Sequence, residues 1–133
     1  MKSYISIFQQ IQIDESLKLL RKHWFAQTAN MSENDFRSEV EKIAQMAELH
    51  RIEKVYDDTT NFHFIIVPRL QEWVNEKIFP RFIQAGLRKY AIIISQEMVA
   101  QLSIEQTMEE YNACSFQVKY FDNSEKAENW LLR

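Results

Sequence analysis

The stretch VYDDTTNF, residues 55–62, places two carboxylates (Asp57, Asp58), two hydroxyls (Thr59, Thr60) and an amide (Asn61) directly after a short β-prone run. Oxygen ligands of this kind suit a divalent cation, and a metal-dependent hydrolase acting through Asp57 and Asp58 is one chemistry they would support. Successive strand residues point to opposite faces, however, so the two carboxylates diverge if the strand reaches them. A phosphatase with an aspartate nucleophile would want a D-x-D-x-T arrangement with a glycine on the first strand, and neither is present. Asp, Asn and Thr also favour turns by bonding local backbone. A turn is therefore expected first, a ligand or partner contact second and catalysis last.

Other reactive side chains offer less. His23, His50 and His63 lack metal-ligand spacing, and no metal site is expected from them. Cys114 has no C-x-x-C companion and no evident activating base, so it reads as inert. The aromatics are more informative. Phe62, Phe64, Ile65, Ile66 and Val67 form an apolar run between the polar turn and Pro68. The run reads either as a loop folded over the core or as a mobile cover on an apolar pocket, walled also by Trp73, Phe79 and Phe82. Aromatic concavities with few polar groups suit small apolar ligands.

Composition bounds these readings. The 133 residues make one domain, 46% hydrophobic and 26% charged. A single glycine, Gly86, rules out glycine-rich phosphate loops and argues against an all-β fold. A net charge of −3 with both signs scattered gives no footprint for nucleic acid. No apolar run suggests a signal peptide or a membrane span. The lone cysteine cannot form an intramolecular disulfide, and the expected compartment is the cytoplasm.

The elements that would position the polar cluster follow from periodicity. Ile5, Ile7, Ile11 and Ile13 alternate as one strand, and 17–25 makes a second, joined to it as an antiparallel hairpin. Ser32 and Asp35 form a capping-box variant ahead of a helix carrying Phe36, Val40, Ile43 and Ala47. Residues 52–56 are the third strand. Pro68 opens a second helix, which Pro80 should kink or split and Gly86 should cap. Continuous apolar character over 90–94 predicts a strand buried on both faces. A helix over 95–112, with a second capping box at Ser103 and Gln106 that could re-nucleate it, a strand over 116–120 and a last helix capped by Asp122 and Glu125 complete the order ββαβαβαβα. Such alternation implies a mostly parallel five-stranded α/β sheet.

The series Trp24-Phe25, Phe36-Arg37, Asp57, Trp73 with Pro80, AGLRKYA (85–91) and YFDNSEKAENWL (120–131) resembles the SpoIIAA-like family. These bacterial stand-alone domains are grouped with STAS anti-sigma-factor antagonists and SEC14-type lipid-binding domains. The resemblance covers nearly the whole chain through packing residues, and it implies a mixed five-stranded sheet of successive β-α turns. STAS antagonists open a helix with a D-S-S-G-like segment whose serine is phosphorylated. Here that position reads Asp57-Asp58-Thr59-Thr60-Asn61, without serine or glycine, so the resemblance does not carry that switch.

The expected function is a non-enzymatic regulatory or protein-interaction module without a cofactor. The alternative is a carrier or sensor of a small apolar or lipid-like ligand held beside Phe62–Val67 and Trp73, and the candidate ligand or partner contacts are Asp57, Asp58, Thr59, Thr60, Asn61, Phe62, Phe64 and Trp73. The first hairpin carries Phe8, Leu20 and Trp24 opposite a second apolar face, more than one solvated face requires, so a homodimer through these three residues is also expected.

Overall fold

The computed structural model describes residues 2–110 and 116–133. Cys114 and the expected helix end at Asn112 lie outside the described residues. Six strands form one sheet in sequence order: β1 (Ser3–Ile5), β2 (Gln9–Asp14), β3 (Leu19–Trp24), β4 (Lys54–Asp58), β5 (Lys89–Ile93) and β6 (Gln117–Phe121). The β1–β2 and β2–β3 pairs are antiparallel, while β3 to β6 run parallel. The fold is α/β with a mixed, mostly parallel sheet.

The sixth strand arises where one long strand was expected. Ser6 turns the chain. Its N–H donates to Gln9 O (2.9 Å), and its Oγ accepts from the N–H groups of Phe8 and Gln9. A serine hydroxyl that bonds local backbone competes with a continuous ladder. The alternating isoleucines therefore do not share a face: Ile5 is 67% exposed and Ile7 68%, whereas Ile11 is fully buried.

Among the described residues, four helices cover the sheet. On one face lie α1 (Glu33–His50), α2 (68–85) and α3 (Met98–Glu110), which share the larger core with Ile11, Leu20, Val55 and Ile92. On the other lies α4 (Ser124–Leu132), whose Ala127, Trp130 and Leu131 pack on Leu19, Ala91 and Ile93. This two-sided cover explains the unbroken apolar run of β5, in which Tyr90, Ala91, Ile92 and Ile93 are all buried. Ile94 falls just past the strand.

The helix ends bear out some expectations and correct others. The Ser32–Asp35 capping box is formed in both directions, each bond 3.0 Å. Gly86 caps α2 at φ 119°, a conformation that costs a side-chain-bearing residue dearly. Pro80 does not split its helix. Residues Val74–Ile78 just before it open into a π-helical turn, which absorbs the missing N–H and the ring's clash. Ser103 is not a cap but lies within α3, its Oγ donating to Ala100 O; the Glu97 carboxylate caps that helix, accepting from the N–H groups of Val99 and Ala100. Asn123, not Asp122, caps α4.

The surface expected to call for a second chain is covered within this one. Leu20 and Trp24 are buried in the larger core, and Phe8 packs against it half-buried. The expected interface through Phe8, Leu20 and Trp24 is corrected accordingly, because helices reach both sheet faces. No helix among the described residues is long and apolar enough to cross a membrane.

Candidate functional site

Lys22 and His23 are adjacent on β3, and Asp57 and Asp58 are adjacent on β4. The parallel register sets Lys22 beside Asp57 and His23 beside Asp58. Strand alternation then sends the first pair to the face beneath α1, α2 and α3 and the second to the face that α4 covers. The two carboxylates do diverge, so they do not converge on one ion.

The inner pair is a buried polar cluster. Lys22 Nζ lies 3.2 Å from Asp57 Oδ2, with Lys22 6% and Asp57 4% exposed. Tyr90, on the next strand, donates its hydroxyl to the same Oδ2 at 2.8 Å. The ammonium also sits 5.3 Å from the centre of the Trp24 ring and 5.6 Å from that of Tyr90, within cation–π range. Asp57 Oδ1 is buried with no hydrogen-bond partner among the described residues.

Burial works against both charges. It draws Lys22 below the ordinary range of a lysine, opposed by the Asp57 charge. It pushes the Asp57 carboxyl up, opposed by Lys22 and by the Tyr90 hydrogen bond. Burial and then the Asp57 charge hold the Tyr90 hydroxyl well above its usual value. A pair in this setting survives through its mutual attraction and hydrogen bonds, which offset desolvation without guaranteeing a surplus.

Beside the cluster is a cavity of about 60 Å³. Lys22, Asp57, Tyr90 and Thr59 form its polar corner, and the rest of the wall is almost wholly apolar, including Phe62, Val74, Ile78 and Phe79.

The outer pair belongs to the turn. His23 Nδ1 lies 3.0 Å from Asp58 Oδ2, while Asp58 Oδ1 accepts from the backbone N–H (3.0 Å) and hydroxyl (2.6 Å) of Thr60. The Phe62 N–H returns to Thr59 O, closing the turn. Burial alone would raise the Asp58 carboxyl, but the Thr60 and His23 bonds outweigh it and hold it below its ordinary value. Thr59 is buried, its hydroxyl donating to Ile93 O on the neighbouring strand. Asn61 contributes its backbone carbonyl, which accepts from the Thr28 hydroxyl.

The aromatic candidates separate. Phe62 is buried in the cavity wall against Trp24, ring centres 5.0 Å apart. Phe64 and Trp73 lie outside the wall: Phe64 stacks on Phe36 at 5.0 Å and meets Phe62 edge-on at 6.2 Å, and Trp73 meets Phe36 edge-on at 6.4 Å. The 62–67 run is fastened rather than free: Phe62 O accepts from Ser95 Oγ, His63 N–H donates to Thr28 Oγ1, Ile66 N–H donates to Ser103 Oγ, and Ile66 O accepts from Gln71 Nε2. These bonds favour the loop folded over the core above the mobile cover.

Lys22 and Tyr90 were not among the residues expected at a site. One signal was available: in Leu20-Arg21-Lys22-His23-Trp24 the lysine shares parity with the two apolar residues that must face the core. A lysine at such a position needs an anion opposite it.

Two outcomes are expected. Asp57→Ala leaves the Lys22 ammonium buried and unpaired, at a cost of about 3–5 kcal/mol in urea unfolding. For Asp58, the unfolded carboxyl binds its proton at higher pH than the folded one. Its contribution is therefore present above the unfolded value and is lost as pH falls through the folded value. Asp58→Asn should accordingly destabilise the protein near neutrality, and the gap to the parent should narrow as pH falls through and below the ordinary carboxylate range. A gap independent of pH would show that the Asp58 charge contributes nothing.

No family model, curated protein or solved structure matches the chain, so the cluster of Lys22, Asp57 and Tyr90 and the cavity beside it are what carry a reading of function.

Proposed function

We propose that the protein is a non-enzymatic binding domain that holds a small, largely apolar ligand in the cavity beneath α1, α2 and α3, as a carrier or sensor. The observation that carries this reading is the cavity itself: apolar walls with one polar corner, the combination that gives a ligand affinity from its body and orientation from its head. Size decides between two versions of the reading. Pockets for drug-sized ligands run from about 300 Å³ upward. A space of about 60 Å³ therefore suits a molecule of few heavy atoms. A lipid-like ligand would require the 62–67 run to leave the hydrogen bonds that fasten it. Membership of the SpoIIAA-like and SEC14-type group is part of this proposal, supported by the mostly parallel α/β sheet. A cytoplasmic location is part of it too, supported by the lone cysteine.

A second reading, a regulatory module that docks another protein, is supported by a different surface. Met98, Val99 and Leu102 are exposed together on α3, Met98 at 84%. The divergence of Asp57 and Asp58 gives the metal-dependent hydrolase no comparable support.

Xenon is a probe of the leading reading that needs no knowledge of the ligand. Dissolved xenon should give saturable NMR shifts at the methyl groups of Ile43, Ile78 and Met108, which line the cavity. Val74→Phe, which fills that wall, should abolish them. Shifts absent from these methyls, or unchanged in the filled variant, would sink the interior-ligand reading.

A further inference from the structure

Resting on that reading, we infer that the ligand is a small neutral molecule whose head both donates and accepts hydrogen bonds, an alcohol or a primary amide, seated against the free oxygen of Asp57 and the ammonium of Lys22. Asp57 Oδ2 accepts from Tyr90 and faces Lys22, so its capacity is committed within the cluster. Asp57 Oδ1 is buried and has no partner among the described residues. A buried carboxylate oxygen left without a donor is costly, and such an atom marks a place that an incoming donor would satisfy. Lys22 has three N–H donors, and the carboxylate oxygen 3.2 Å away occupies one direction. Aromatic faces lie beside the ammonium and can take a cation but cannot accept as a carbonyl does. The corner thus offers one acceptor and surplus donors to the same small space.

Charge narrows the class. Lys22 and Asp57 together sum to zero, whether as an ion pair or with the proton passed between them. A carboxylate ligand would leave a net negative charge in an apolar wall, and an ammonium ligand a net positive one; neither is compensated there. A neutral head adds no charge. Phe62, Val74, Ile78 and Phe79 ask nothing polar of the ligand body, and about 60 Å³ limits that body to a few heavy atoms. Water satisfies the same donor and acceptor pattern and is the natural competitor, so an organic ligand gains over water through the apolar contacts of its body.

The test compares four probes of similar size by NMR titration of the wall methyls: 2-propanol, acetamide, acetate and isopropylammonium, with xenon as the control for the cavity. The alcohol and the amide should bind at least about tenfold more tightly than either ion. Asp57→Asn should reverse part of that order. With the carboxylate gone, Lys22 is an unpaired cation, and acetate should become the best ligand. Circular dichroism and the retained xenon shift would establish that the variant is folded. Acetate binding as tightly as 2-propanol in the parent protein, or an unchanged order in Asp57→Asn, would overturn the inference. Xenon binding without any preference among the polar probes would overturn it too, leaving the cavity reading intact. Failure of every probe including xenon would remove both.

Discussion

The structure turns on one register. On β3 the residues Lys22-His23 face the residues Asp57-Asp58 of β4 in parallel alignment, so a single pairing gives each of two carboxylates a partner, on two faces of the sheet. A shift of one residue would exchange those faces, sending Asp57 toward α4 and Asp58 into the larger core. Charge and apolar pattern therefore specify the same alignment. The consequences spread outward. With β3 and β4 locked, Leu20 and Val55 meet on the core face, Tyr90 of β5 reaches Asp57, and the turn after Asp58 folds Phe62 back over Trp24.

The two pairs do different work because their surroundings differ. The outer pair is partly solvated, and its carboxylate is held by the Thr60 hydroxyl and backbone, so it reads as turn chemistry. The inner pair is desolvated and incompletely satisfied. Natural cores more often fill such a position with an aliphatic residue, since a buried ion pair rarely outperforms good packing. Here the pair is instead set against a cavity, with an acceptor left over. That combination is what separates a polar site from a polar defect, and it is why the proposed function rests on this corner and not on the conspicuous VYDDTTNF stretch as a whole.

Much of the fold was legible in the sequence. The buried β5, the Ser32 capping box and the Gly86 cap could be read because each depends on neighbours within a few residues. The errors share a physical cause as well. Ser6 broke a well-patterned strand through a local hydroxyl bond that hydrophobic alternation does not register. The π-helical turn at Val74–Ile78 let Pro80 sit within a continuous helix, an accommodation made upstream of the proline. Phe8, Leu20 and Trp24 suggested a partner chain because the cover that α1 to α3 provide is a tertiary fact. The candidate site was half visible. Asp57 stood out by type, but its partners Lys22 and Tyr90 are 35 and 33 positions away in the chain, and only the strand register brings them together.

The central claim is that the cluster of Lys22, Asp57 and Tyr90 specifies register and dresses a binding cavity, without adding net stability. The most direct measurement is the unfolding free energy of the combined variant Lys22→Met, Asp57→Leu, Tyr90→Phe, which replaces every polar group of the cluster by an apolar one of similar size. On this account the variant unfolds at the same urea concentration as the parent or a higher one, stabilised by up to about 1–4 kcal/mol. A loss of several kcal/mol would contradict it, and would make the cluster a structural keystone whose polar groups exist to hold the sheet together.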